Sequence, residues 1–80
     1  MRHKTTTVIG DQMLRMVGRR IALRRFRVGM SQTELARRCH VTRSQMCKHE
    51  AGAAEMPLTR LFEICTVLKV TAGELLNGQE

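Results

Sequence analysis

The sequence predicts an all-α fold built as one small domain, and three observations carry that prediction. β-Forming residues are sparse: the 80 residues include no Tyr or Trp, two Phe and a single Pro, and helix formers run throughout. Helix-start signals recur, with Ser31 and Glu34, Thr42 and Gln45, and Thr71 and Glu74 each spaced as a capping box. In such a box the two side chains reciprocally satisfy backbone N–H groups that a helix start leaves unpaired. Between the starts, apolar residues repeat at helical spacing. A chain this short buries only about 60% of its unfolded surface, so one core is its ceiling.

Residues 1–10 mix basic and Thr residues without a period and are expected to form a flexible arm, leaving 11–78 as the folded domain. From about Asp11 the pattern turns helical, with Leu14, Val17, Ile21 and Val28 as an apolar stripe and Leu23 and Phe26 as a second edge. Gly18 weakens the case for where this helix begins, and Gly29 ends it. The segment Arg19 to Arg27 alone would pass for a basic helix lying on a membrane surface. The capped elements that follow need its apolar face as core, which excludes that reading.

The boxes at Ser31 and Thr42 begin eleven residues apart, leaving room for one short helix and a tight turn. The first helix therefore runs from about 32 to 39 and the second from about 43 to 51, where Gly52 supplies the stop. That is the layout of a helix-turn-helix. Ala36 is small enough for a close crossing, and Leu35, Cys39, Val41 and Met46 supply apolar contacts. On a helical wheel Met46, His49 and Glu50 face inward, while Ser44 and Lys48 centre a polar outward face. Further on, Pro57 suits the first turn of another helix, whose stripe of Leu58, Leu61, Phe62, Cys65 and Leu68 is expected to be core. The box at Thr71 opens a last short helix carrying Leu75 and Leu76. Two adjacent leucines do not both turn inward with ease, so one is expected to face a partner.

The formal net charge is +7, and its distribution matters more than its size. Ten basic residues and one acid, Glu34, lie between Arg15 and Lys48, whereas two basic residues face five acids from His49 to Glu80. One half is thus strongly cationic, the footprint expected of a surface facing a polyanion. No apolar run reaches the 18 or so residues of a membrane span, and no secretory signal stands at the N-terminus. A cytoplasmic protein that engages no membrane is expected. Three cysteines without framework spacing suggest reduced thiols. A zinc site from Cys39, His40, Cys47 and His49 conflicts with the wheel, which turns Cys39 inward and Cys47 outward, so no metal or other cofactor is expected. With no paired carboxylates, phosphate-cradling Gly loop or nucleophile with a placed base, neither is enzymatic activity.

Taken together, VGRRIALRR, GMSQTELARR, VTRSQMCKHEAG, LTRLFEICTVLKV and GELLNG resemble the five helical segments of the phage repressor and Cro class of helix-turn-helix proteins, also called XRE-like. The resemblance runs from about Val17 to Gly78. It implies a compact five-helix, lambda-repressor-like domain and a sequence-specific regulator of transcription, a repressor, that binds a double-stranded DNA operator as a homodimer with half-sites about 34 Å apart. By matching position, Arg43, Ser44 and Lys48 would contact base edges in the major groove, with guanine favoured by Arg and Lys. Gln32, Thr42 and Gln45 would contact phosphates, Gln32 also bracing the recognition helix, and Arg25 would pair with Glu50 in a buried ion pair. Two positions depart from the family: His40 replaces a turn glycine that ordinarily has positive φ, and His49 replaces an apolar or aromatic residue and is read as packed beside the core. The helix bearing Leu75 and Leu76 is the candidate dimer interface. Alternatives that share the fold are the antitoxin of a toxin–antitoxin pair, with a toxin protein as partner, and the controller of a restriction–modification operon.

Overall fold

In the computed structural model, which describes the backbone of residues 2–77 and the side chains of residues 10–77, five helices follow one another: α1 (Arg2–Arg27), α2 (Gln32–Arg38), α3 (Arg43–Ala51), α4 (Leu58–Leu68) and α5 (Ala72–Asn77). No strand occurs among the described residues. The bounds of α3 are those that its caps predict. The backbone of α1, by contrast, is already helical at Arg2, well before the start at Asp11 that the apolar pattern suggests. A glycine within a helix, such as Gly10, costs only about 1 kcal/mol relative to alanine and does not by itself break it.

Four of the five helices end in the same way. The residue after the last turn adopts a left-handed conformation, and two backbone bonds close the end in a Schellman motif. At α1, Gly29 N–H donates to Phe26 O and Met30 N–H to Arg25 O; at α3, Gly52 donates to His49 O and Ala53 to Lys48 O. The ends of α2 and α4 use the same pairings around His40, at φ 59°, and Lys69, at φ 58°. These two are the positive-φ residues that are not glycine among the described residues. Left-handed geometry costs an L-residue roughly 1–2 kcal/mol, so both turns hold some strain. The turn geometry inferred for His40 is present, while that of Lys69 has no sequence signal.

The core gathers Val17 and Ile21 of α1, Leu35 and Ala36 of α2, Met46 of α3, and Leu61, Ile64, Cys65 and Leu68 of α4, together with Cys39, Val70 and Leu75. This corrects the apolar stripe read for α4, because Leu58 and Phe62 are more than half exposed and Ile64 lies fully buried. The packed face is displaced by part of a turn, with spacings of three, one and three residues. Val28, 44% exposed, also lies outside the core, and the second edge of α1 stays in solvent, with Phe26 80% exposed. Of the two adjacent leucines, Leu75 is buried and Leu76 is exposed.

Two arginines of α1 hold the C-terminal half in place. Arg24 donates from Nε to Leu68 O and from Nη2 to Lys69 O, both at 3.0 Å. Arg20 donates from Nη1 to Leu75 O at 2.6 Å and Leu76 O at 2.8 Å. Carbonyls at helix C-termini lack intrahelical donors and carry partial negative charge, so each guanidinium caps one helix electrostatically. No helix among the described residues is long and apolar enough to cross a membrane.

Candidate nucleic-acid interface

The outer face of α3 is presented by a scaffold on three sides. At its start Thr42 and Gln45 complete a capping box: Gln45 N–H donates to Thr42 Oγ1 at 3.0 Å, and Thr42 N–H to Gln45 Oε1 at 3.3 Å. The corresponding box at Ser31 is only half formed. Glu34 N–H donates to Ser31 Oγ, but the Glu34 carboxylate accepts from Arg37 and Arg38 instead. These two guanidinium contacts hold its pKa below the usual carboxylate range.

Behind α3, α1 approaches closely at Gly18, where a Cβ would lie 2.3 Å from His49 O and 2.6 Å from Glu50 O. Only a residue without a side chain permits this approach, so the glycine that weakens the sequence reading of α1 is what seats α3. Its one available signal is its place on the same face as Val17 and Ile21. At the end of α3, Glu50 accepts from Arg25 Nε on Oε2 at 2.7 Å and from Arg25 Nη2 on Oε1 at 3.0 Å. The two side chains are 19% and 8% exposed, so the ion pair inferred from position is present, two-pronged and nearly buried. Its hydrogen bond raises the Arg25 pKa above the ordinary arginine value against an opposing desolvation effect. Arg25 also donates from Nη1 to Met30 O.

Gln32 joins this pair to the outward face. Its Nε2 donates to Glu50 Oε1 at 3.0 Å, and its Oε1 accepts a long bond from Arg43 Nη1 at 3.4 Å. The relay Arg25–Glu50–Gln32–Arg43 thus runs from α1 through the C-terminal end of α3 and the start of α2 to the first residue of α3. Arg43, Ser44 and Lys48 are exposed, as are Thr42 and Gln45, and Gln32 is half-buried. The six residues assigned to DNA therefore lie on or beside α3, and none of their side chains is packed inside the molecule.

His49 is 4% exposed. Its Nε2 stands 3.0 Å from Arg60 Nη1, and because a guanidinium only donates, Nε2 is the acceptor and Nδ1 carries the proton. The buried Nδ1 has no partner among the described residues. Desolvation, reinforced by the Arg60 charge, lowers the His49 pKa and keeps the ring neutral. Sequence reasoning reached the burial but missed Arg60, which lies on another helix. Cys39 and Cys65 are buried, with thiol pKa values raised by desolvation, and Cys47 is exposed. Among the described residues no three His, Cys, Asp or Glu side chains are grouped to hold a metal ion.

A family model described as the Cro/C1-type helix-turn-helix DNA-binding domain matches residues 27–79. The chain belongs to that family. It is a DNA-binding regulator of transcription, and the face just described is the helix-turn-helix of a Cro/C1-type domain. Among solved structures it is similar to the restriction-modification controller protein C.AhdI from Aeromonas hydrophila, with 28% sequence identity and a TM-score of 0.76 over 81% of this chain and 94% of that one. No curated protein sequence matches it.

Proposed function

We propose that this Cro/C1-type domain acts in the cytoplasm as a homodimeric repressor that reads a guanine-containing half-site with Arg43, Ser44 and Lys48. Gln32, Thr42 and Gln45 anchor the adjoining phosphates, and residues 11–78 form the DNA-binding unit. The observation that carries this reading is the relay from the Arg25–Glu50 pair through Gln32 to Arg43. It orients an exposed guanidinium at the tip of α3, where holding the side chain in place reduces the ordering cost of binding. Leu76, exposed beside the buried Leu75, is the apolar contact assigned to the dimer. The similarity to C.AhdI favours a controller of a restriction–modification operon over a toxin-binding antitoxin, for which the comparisons give no support.

The test begins with selection of bound sites from random duplex DNA. On the selected site Arg43→Ala should cost about 1–3 kcal/mol and relax base preference at one position. Equal losses on selected and random duplex would remove Arg43 from base reading. Leu76→Glu should shift sedimentation toward monomer and weaken binding to the two-half-site operator.

A further inference from the structure

The ends of α1, α2 and α4 surround a groove of about 290 Å³ that includes no residue of α3. Val28, Met30 and Val67 give it an apolar lining; Met30 and Val67 pack on the core, while Val28 is 44% exposed. Arg24, Arg38 and Lys69 are its charged lining residues, and no carboxylate among the described residues lines it. Arg24 spends its donors on the neutral carbonyls of Leu68 and Lys69, which leaves its charge uncancelled. Arg38 shares the single carboxylate of Glu34 with Arg37, so that trio keeps one positive charge. Glu74, which feels the Arg24 charge, does not line the groove, and its Oε1 is engaged by Thr71 N–H at 2.8 Å. Lys69 occupies a left-handed position that glycine ordinarily fills, and with lysine there the groove gains a third cation.

We propose that this groove docks a short acidic segment of a partner protein, anchored by an apolar side chain and flanked by carboxylates, at a surface separate from the DNA-reading face. Charge complementarity selects the occupant. Guanidinium groups hold carboxylates with directional, charge-assisted bonds, and the apolar lining rewards a buried side chain that a polyanion such as DNA does not carry. The regulator can therefore hold DNA on α3 and a second protein at the C-terminal ends of α1 and α4, where no α3 residue lines the groove.

The full chain, labelled with ¹⁵N, is titrated with a synthetic peptide carrying two leucines among four aspartates, with a peptide of equal charge in which serine replaces leucine, and with random-sequence duplex. The leucine peptide should shift amides around residues 28–30, 38 and 67–70 saturably, and the serine peptide should bind about tenfold more weakly or less, as loss of a buried leucine implies. Val28→Glu should weaken the leucine peptide about tenfold and, separately, Lys69→Asn several-fold, and Lys69→Asn, which lies outside the cationic stretch from Arg15 to Lys48, should leave duplex affinity within about twofold. Both positions are exposed, and circular dichroism checks the fold of each variant. Equal binding of the two peptides, peptide shifts centred on α3, groove shifts produced by duplex, or a change in sedimentation on Val28→Glu alone would each overturn the assignment.

Discussion

Replacing Gly18 by alanine isolates the contact on which the presentation of α3 depends. The added methyl would stand 2.3 Å from His49 O and 2.6 Å from Glu50 O, where ordinary contact begins at 3.4 Å. Both obstacles are backbone atoms, so no side-chain rotation relieves the overlap and the helices must separate by about 1 Å in a close-packed interior. Overpacking of this kind costs about 1–3 kcal/mol, and the rigidity of the obstacle places Gly18→Ala at or above the upper end. Alanine's better helix propensity returns about 1 kcal/mol. The net loss should be about 2 kcal/mol, which lowers the melting temperature by about 8–16 °C in a domain of this size. Thermal unfolding followed by circular dichroism at 222 nm reads the shift, and binding to the selected operator should weaken as well, because Glu50 lies at the displaced end of α3. Gly10→Ala is the control: a Cβ there meets nothing within 4 Å, so the same chemical change should be neutral or stabilising by up to about 1 kcal/mol. A Gly18→Ala protein that melts at or above the parent temperature would refute the close approach.

Arg25→Met removes both guanidinium bonds from the Glu50 carboxylate, which keeps the Gln32 bond, and should cost about 3 kcal/mol by urea denaturation; adding Glu50→Leu should recover part of that loss, and no recovery would count against a desolvated pair. His40→Gly relieves the left-handed turn at φ 59° and should stabilise the fold by about 1 kcal/mol, read as a higher melting temperature; a lower one would show that the histidine side chain contributes more than its strain costs. Because burial lowers the His49 pKa in the folded state, the unfolded chain takes up that proton first as pH falls. Stability should therefore decline from about pH 6.5 downward, the ordinary histidine value, and level off below the folded pKa. His49→Gln should abolish that decline in pH-dependent urea midpoints, and an unchanged slope would dissociate it from His49. Glu34 and Glu74 have lowered pKa values from their Arg and Thr71 hydrogen bonds, so their contribution is present above the ordinary carboxylate range and is lost only at more acidic pH.

Much of the interface was legible in the chain itself, and the reason differs from residue to residue. Thr42 and Gln45 state the start of α3 and Gly52 states its end, since capping bonds span only a few residues and depend little on the rest of the molecule. Arg25 and Glu50 were reached through family position rather than through spacing. The α4 stripe was read less well: Leu58 and Phe62 fit the helical period as well as Ile64 does, and periodicity alone gives a face without its exact centre. Lys69 carried no signal, because its side chain is a poor predictor of a left-handed residue. Arg20 and Arg24 looked like solvated charges on a basic helix, whereas they cap helices some 50 residues away in sequence.

The sequence by itself determined where helices begin and stop, which side of α3 is polar and which half of the chain is cationic, because caps, periodicity and charge are local quantities. Only the tertiary structure decided that Gly18 is a seat for α3, that Glu50 is shared between Arg25 and Gln32, that His49 is a neutral acceptor of Arg60, and that Phe26 and Phe62 remain in solvent. Each of these depends on what another helix places within a few ångströms, and that distance follows from how the helices cross rather than from any single segment.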